Sequence, residues 1–154
     1  MKYIKRILPI FILLILLTGC KGKTITTSCT LESDQTPNGY VLNAKYKIYS
    51  SDDIVEKVEI NQVISSEKED ILKSFKESIS NQYKTNNSLY NGYKYDVNIK
   101  DNKLEANITI DYEKVDLDKY SRDNEAIKEY LTDGKLTKDK LIELYKTSGI
   151  KCEK

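Results

Sequence analysis

Two apolar rows joined by a two-residue turn are the sequence feature that most restricts the fold of this chain. Apolar and aromatic side chains alternate with Lys, Asp and Asn over residues 93–99, and the alternation resumes over residues 104–110. Asp101 and Asn102 lie between the rows, and both residue types tolerate the positive φ of a tight hairpin turn. Pairing across this turn matches Ile99 with Leu104, Val97 with Ala106, Tyr95 with Ile108, and Tyr93 with Ile110. A shift by one residue would turn one row toward solvent, so the sequence predicts a hairpin with a fixed register.

Three further strands are predicted before this hairpin. Alternation begins at Ile25 and resumes at Tyr40, after the turn-forming residues 34–39. It resumes once more at Ile54, after a second turn at residues 50–53. Short alternating segments separated by turn residues are typical of an antiparallel meander.

A helix is predicted between the meander and the hairpin. Its apolar stripe has helical spacing and predicts about four turns laid on a sheet. The stripe consists of Ile71, Leu72, Phe75 and Ile79. Ser66, with Glu69 three residues later, predicts a capping box at the start of the helix, and residues 85–88 (TNNS) predict its end.

The C-terminal part predicts one or two closing helices. Residues 125–131 predict a short helix that ends at residues 132–134 (TDG). Thr137 is placed to cap a last helix, with Leu136 and Leu141 spaced as a hydrophobic staple and Gly149 as a left-handed end. We therefore predict one α+β domain over residues 25–154, in which a mostly antiparallel sheet of about five strands (β-β-β-α-β-β-α) packs against helices.

The N-terminus predicts an export signal. Basic residues precede an apolar run at residues 7–17, which is about half of the roughly 20 residues needed to span a bilayer. The run ends in Leu17-Thr18-Gly19-Cys20, which resembles a bacterial lipobox. The resemblance implies cleavage between Gly19 and Cys20, removal of residues 1–19, and a diacylglyceryl group on Cys20. Residues 20–24 would then form a lipidated tether on the extracytoplasmic side of the cell membrane. An uncleaved anchor and a buried structural helix are the alternatives.

Charge composition excludes some partners. Without residues 1–19 the chain keeps 135 residues, with 22 basic and 24 acidic side chains. This balance provides no basic face, so we expect no nucleic-acid partner. The expected partners are the membrane, through the lipid on Cys20, and an envelope protein or ligand that the sequence does not identify.

Two cysteines remain for the exported domain once Cys20 carries lipid. Cys29 and Cys152 form an even pair outside the cytosol, which favours a disulfide, with two free thiols as the alternative. Two cysteines in a chain without histidine do not complete a zinc site, so we expect no metal and no cofactor.

Candidate catalytic residues do not stand out. The chain has no histidine, which is the commonest general base, and no spacing singles out a lysine or carboxylate. The 12 tyrosines allow a ligand cleft as an alternative to a purely structural role. Four of them fall on predicted inner faces and are expected in the core: Tyr40, Tyr46, Tyr93 and Tyr95. Five others have no clear assignment: Tyr49, Tyr83, Tyr90, Tyr120 and Tyr130.

Several of these features occur together in one known group. The lipobox, the strands flanking one helix, residues 110–117 (IDYEKVDL) and residues 149–152 (GIKC) resemble the YehR family of small bacterial lipoproteins. The resemblance covers most of the chain from about Cys29 onward. It implies an α+β fold and a surface-anchored location, and it supplies no catalytic residues.

The leading hypothesis is a lipid-anchored, non-catalytic binding or envelope-maintenance module. A small solute receptor feeding a transporter is the alternative, although 135 residues are few for a two-lobed receptor. A hydrolase that uses carboxylates or lysine is a third hypothesis.

Overall fold

A computed structural model describes residues 22–153, except the side chain of Ala126. The predicted cleavage between Gly19 and Cys20, and the lipid on Cys20, fall outside the described residues. The elements follow the predicted order of three strands, a long helix, a hairpin and closing helices. Their bounds are β1 Ile25–Gln35, β2 Tyr40–Ser51, β3 Ile54–Ser65, α1 Glu69–Tyr90, β4 Tyr93–Lys100, β5 Lys103–Asp111, α2 Leu117–Asp123, β6 Leu131–Thr132, β7 Lys135–Leu136, α3 Lys138–Thr147 and β8 Lys151–Cys152, with 3-10 turns at Thr36–Asn38 and Glu125–Tyr130.

One antiparallel sheet organises the domain. Its strand order is β4-β5-β3-β2-β1-β8, while β6 and β7 form a separate two-stranded ribbon. The predicted α+β class with a mostly antiparallel sheet is confirmed. Five strands are long, as expected, and the sixth is the two-residue β8, which pairs with β1.

The predicted hairpin register is confirmed. Tyr93 lies opposite Ile110, and Ile99 lies opposite Leu104 at the turn end. Asp101 and Asn102 have φ values of 50° and 58°, as a tight turn with left-handed residues requires. The alternation and the turn residues of this hairpin are therefore sufficient to predict its register.

The start of α1 differs from the prediction, and the capping box is wrong. The N-cap is Lys68, without a side-chain cap, because the buried Ser66 hydroxyl donates to the Gly39 carbonyl oxygen at 2.6 Å. Ser66 also accepts from the Lys68 amide at 3.1 Å. Its hydroxyl thus joins the start of β2 to the approach to α1 instead of capping the helix.

The end of α1 also differs, because the helix runs 22 residues to Tyr90, which is about six turns rather than four. Asn91 and Gly92 end it with φ values of 59° and 77°. A Cβ on Gly92 would lie 2.6 Å from the Asp111 carbonyl oxygen, so this position requires glycine on grounds of space as well as conformation.

The C-terminal predictions are confirmed in part. The Thr137 side chain accepts from the Lys140 amide and caps α3, and Leu136 and Leu141 are both buried. Gly149 has φ of 78°, and the chain folds back so that the Ile150 amide donates to the Tyr145 carbonyl. The predicted short helix is a 3-10 turn, and of residues 132–134 the last two form the turn between β6 and β7.

The sheet has an inner face, packed against the helices, and an outer face that carries mainly Lys, Glu, Asn and Thr. Two core clusters lie on the inner face. The α1 cluster is Ile64, Leu72, Ile79, Tyr90, Tyr93, Val97, Leu104, Ala106, Ile108, Ile110 and Val115. The α3 cluster is Cys29, Ile48, Val55, Val58, Leu136, Leu141 and Ile150. Both clusters and the sheet pairings of the described chain lie within residues 25–152.

No helix within residues 22–153 combines the length and the apolar character needed to cross a bilayer.

Candidate ligand cavity

A cavity of about 450 Å³ lies on the inner face, between α1 and α3. Tyr46, Ile60 and Gln62 of β2 and β3 contribute to its lining, with Tyr83 from α1 and Tyr145 from α3. Its volume is within the range of about 300–1,000 Å³ that is usual for small-molecule sites. Because its lining combines aromatic and apolar side chains from the sheet and both helices with a few polar groups, this cavity is the candidate functional site.

The cavity forms because the two helices cover different parts of the inner face. In β3, Ile64 is buried in the α1 cluster and Val58 is buried in the α3 cluster. Ile60 lies between them and packs against both clusters, and Gln62 is only half-buried. The middle of the inner face is therefore covered from both sides but filled by neither helix.

Tyrosine side chains form a large part of the lining. Six tyrosines contribute: Tyr46, Tyr83, Tyr93, Tyr112, Tyr120 and Tyr145. The ring centroids of Tyr46 and Tyr145 are 5.0 Å apart, and those of Tyr83 and Tyr93 are 6.2 Å apart. These separations are in the range in which aromatic rings attract one another, so the rings support each other as rigid walls.

Besides Tyr120, five of these tyrosines have hydroxyl groups without a hydrogen-bond partner among the described residues: Tyr46, Tyr83, Tyr93, Tyr112 and Tyr145. No side-chain polar atom in the described part is both fully buried and unpartnered. The five hydroxyls therefore keep access to water or to a ligand. Burial raises the pKa of all five phenols, so they remain protonated donors at neutral pH.

Among the described residues, no Asp, Glu, Lys or Arg side chain contributes to the lining. Its other polar groups include the amides of Gln62, Gln82 and Asn86. Gln82 and Ser148 are exposed and still reach the lining, so the cavity opens between the second half of α1 and the end of α3. An uncharged lining with donors on aromatic walls is suited to holding a neutral molecule.

The structure shows which of the tyrosines line the cavity and which lie elsewhere, a distinction that the sequence does not provide. Tyr46 and Tyr93, expected in the core, line the cavity, as do Tyr83 and Tyr120, which had no clear assignment. Tyr40 lies away from it and packs edge-on against Phe75 at 4.9 Å. The alternative of a ligand cleft lined by tyrosines therefore agrees with the geometry.

The core prediction for Tyr95 is wrong. Its side chain is 37% exposed, because β4 is the edge strand of the sheet and the ring stacked on it among the described residues is that of Tyr83, with centroids 6.3 Å apart. Sequence alternation identified the correct face but not the extent to which α1 covers it.

Gln62 is a cavity residue that the sequence analysis did not single out. It occupies the inner row of β3, where Val58, Ile60 and Ile64 are apolar. A lone amide in an otherwise apolar row is a usable signal, since such a residue needs a polar partner or an opening.

The predicted cysteine pair lies beside this cavity. Cys29 and Cys152 face each other across β1 and β8, with their sulfur atoms 2.11 Å apart. Leu31 and Ile150, two residues away from each cysteine, line the cavity. The cysteine pair thus ties the C-terminal wall of the cavity to the first strand.

The outer face differs in chemistry. On this face Lys57 forms an ion pair with Glu59 at 2.7 Å. The Tyr49 hydroxyl also donates to Glu59, at 2.7 Å. The hydrogen bond from Lys57 lowers the pKa of Glu59. Because each of these groups already has a partner, the cluster is accounted for as part of the surface structure and does not indicate a binding site. Within the described residues, no group of three His, Cys, Asp or Glu side chains is placed to hold a metal ion.

Comparisons with known proteins relate the chain to others by fold. No protein-family model matches the sequence, and no curated protein matches it either. A protein from Streptococcus pneumoniae TIGR4, solved by NMR, is similar with a TM-score of 0.53 and 15% identity, over 86% of this chain and 87% of that one. The E. coli YehR protein, also solved by NMR, is similar with a TM-score of 0.50 and 18% identity, over 81% of this chain and 88% of that one. The chain therefore has a YehR-like fold, and at these identities the likeness extends to the fold alone.

Proposed function

We propose that this protein is a non-catalytic binding module, held at the extracytoplasmic face of a bacterial membrane by lipid on Cys20, and that the cavity between α1 and α3 holds its ligand. The observation that carries the proposal is the tyrosine-lined cavity of about 450 Å³ at the centre of the inner face.

Binding is favoured over catalysis by the chemistry of the lining. Hydrolysis needs a general base or a nucleophile with an activating partner. The cavity offers phenols whose pKa values are raised by burial, together with neutral amides, and no side chain within residues 22–153 brings a carboxylate or ammonium group to its lining. These groups can hold and orient a molecule, but they supply no base at neutral pH.

The membrane anchor rests on the sequence. Residues 7–20 support lipidation at Cys20, and β1 begins only five residues later, at Ile25. The full chain is expected to incorporate labelled palmitate in its native host and to lose the label in Cys20→Ser. An intact leader, or an unmodified Cys20 thiol in material from the host, would refute the anchor.

Nile red, an uncharged dye that fluoresces in apolar surroundings, tests the cavity itself. The experiment uses residues 22–154, which include both core clusters and the cysteine pair. We expect saturable binding with one-to-one stoichiometry. Gln82→Trp places an indole at the mouth of the cavity and is expected to weaken binding at least about tenfold, which corresponds to about 1.4 kcal/mol.

Asn81→Trp is the matched control, since Asn81 is the exposed neighbour of Gln82 on α1 and does not reach the cavity lining. It should bind Nile red as the unsubstituted protein does. Absence of saturable binding, or equal loss in the two tryptophan variants, would contradict the proposal.

A solute receptor that feeds a transporter is a second candidate, favoured by the same cavity. The described fold is built on one main sheet rather than two lobes, so such a receptor would not close as a clamp. Deletion of the gene would then reduce uptake of one solute in intact cells, whereas a binding module without a transport role leaves uptake unchanged.

A further inference from the structure

We infer that the ligand of this cavity is an uncharged, mainly apolar molecule that carries hydrogen-bond-accepting oxygen atoms. The inference rests on the binding function proposed above and adds the chemical class of the ligand. Three properties of the lining support it: the absence of charge, the set of unpartnered hydroxyls, and the aromatic walls.

The absence of charge argues against an ionic ligand. A carboxylate, phosphate or ammonium group that enters the cavity loses water and meets no side chain of opposite charge in the described lining. Burial of an unpaired charge is among the most unfavourable events in binding. The lining therefore discriminates against ions even when their size and shape fit.

The hydroxyls specify acceptors on the ligand. The phenols of Tyr83, Tyr112 and Tyr145 each carry a proton that no described residue accepts. A purely apolar ligand would displace water from these hydroxyls and leave the protons unsatisfied, which is costly in a buried site. Carbonyl or ether oxygens on the ligand would accept those protons and replace the lost water.

The tyrosine rings that line the cavity favour a ligand that contains a flat ring. The Tyr46 and Tyr145 rings lie at an interplanar angle of 53°, and Tyr83 lies at 42° to Tyr93, so faces and edges of several rings are available to a guest. Offset and edge-to-face contacts between rings contribute favourably beyond the area that they bury.

Three naphthalene probes of nearly equal size, substituted at the same ring carbon, test the effect of ligand charge and the effect of a hydrogen-bond acceptor separately. Acetylnaphthalene is neutral and has an acceptor, ethylnaphthalene is neutral and has none, and naphthoate is an anion. Calorimetric titration of residues 22–154 is expected to show the tightest binding for acetylnaphthalene. Loss of one to two neutral hydrogen bonds predicts about tenfold weaker binding of ethylnaphthalene. Naphthoate, which buries a charge, is expected to bind more weakly still.

Tyrosine-to-phenylalanine variants test which groups donate. Tyr83→Phe and Tyr145→Phe each keep the ring and remove one hydroxyl. Each should weaken acetylnaphthalene binding by about threefold to tenfold and leave ethylnaphthalene binding unchanged. Tyr40→Phe is the control, because Tyr40 lies on the same face of the sheet but outside the cavity lining.

The outcomes separate this inference from the proposed function. Equal binding of the three probes, tightest binding of naphthoate, or binding of Nile red with none of the probes, would overturn the ligand class and leave a binding cavity in place. Failure of Nile red and of all three probes to bind would overturn both.

Discussion

The two core clusters of the inner face are built in different ways. The α1 cluster uses residues that follow one another along the chain, from Ile64 to Val115, under a helix of 22 residues. The α3 cluster joins the two ends of the domain under a helix of 10 residues, with Cys29 and Cys152 separated by 123 positions. Local contacts form at low entropic cost, whereas contacts between chain ends need an additional constraint. We therefore expect the wall of the cavity formed by the α1 cluster to be self-supporting and the wall formed by the α3 cluster to depend on the cysteine pair.

Removal of the cysteine pair is the strongest test of this difference. Cys29→Ala/Cys152→Ala is expected to lower the free energy of unfolding by about 4 kcal/mol, since the crosslink closes a long loop in the unfolded chain. Hydrogen exchange should accelerate throughout because the global stability is lower. It should accelerate most in α3 and β8, which can also open locally once the crosslink is gone, and least in β4, β5 and α1. The control is a reducing agent, which should destabilise the unsubstituted protein but not the double variant. Uniform acceleration across both clusters would refute the asymmetry.

Leu72→Ala tests the self-supporting wall. Leu72 is 1% exposed, and truncation of a buried leucine costs about 3 kcal/mol through lost burial and the space left behind. Because the α1 cluster carries the hairpin, the loss should appear at every amide as a lower free energy of global unfolding. Lys73→Ala, at the exposed neighbouring position, should change the stability by less than about 0.5 kcal/mol. Loss of protection confined to α1 would contradict the role given to this cluster.

Thr137→Ala makes the smallest change. It removes the side chain that accepts from the Lys140 amide and should lower the stability by about 1 kcal/mol. We expect the effect to stay within α3, with faster exchange of its first-turn amides and unchanged exchange in α1. Thr137→Ser retains a capping hydroxyl and serves as the control. An equal loss in the two variants would show that the cap is not responsible.

The parts of the fold that follow from local chemistry were accessible from the sequence. The β4–β5 register was predictable because side-chain period and the Asp101–Asn102 turn determine it within a few residues. The Thr137 cap and the Gly149 end of α3 were predictable for the same reason.

The failures occur where a distant group competes for a local signal. Ser66 has the sequence of a capping residue, but its hydroxyl binds the Gly39 carbonyl, which is 27 positions away. Residues 85–88 contain helix-disfavouring Asn and Ser, yet the helix continues because Tyr90 packs against Tyr120 at 4.8 Å and donates to Asp123. None of these three partners, Gly39, Tyr120 and Asp123, can be assigned from spacing along the chain.

The cavity is also a feature that depends on groups far apart in the sequence. Alternation places Tyr46, Ile60 and Gln62 on the inner face, but it does not give the lateral distance between the two helices that cover that face. That distance depends on how α3 returns to β1, a contact between the ends of the domain. Sequence could therefore suggest a tyrosine-lined cleft as an alternative, but it could not locate one.

The most direct test of a ligand-binding cavity uses the tyrosines themselves as reporters. Residues 22–154 with carbon-13 in the tyrosine rings can be titrated with acetylnaphthalene and followed by NMR. If the cavity binds this probe, we expect saturable shifts for the rings that line it, including Tyr46, Tyr83 and Tyr145. The signals of Tyr49, on the outer face, should not change. No saturable shift at these three rings, or larger shifts at Tyr49 than at Tyr145, would contradict this expectation.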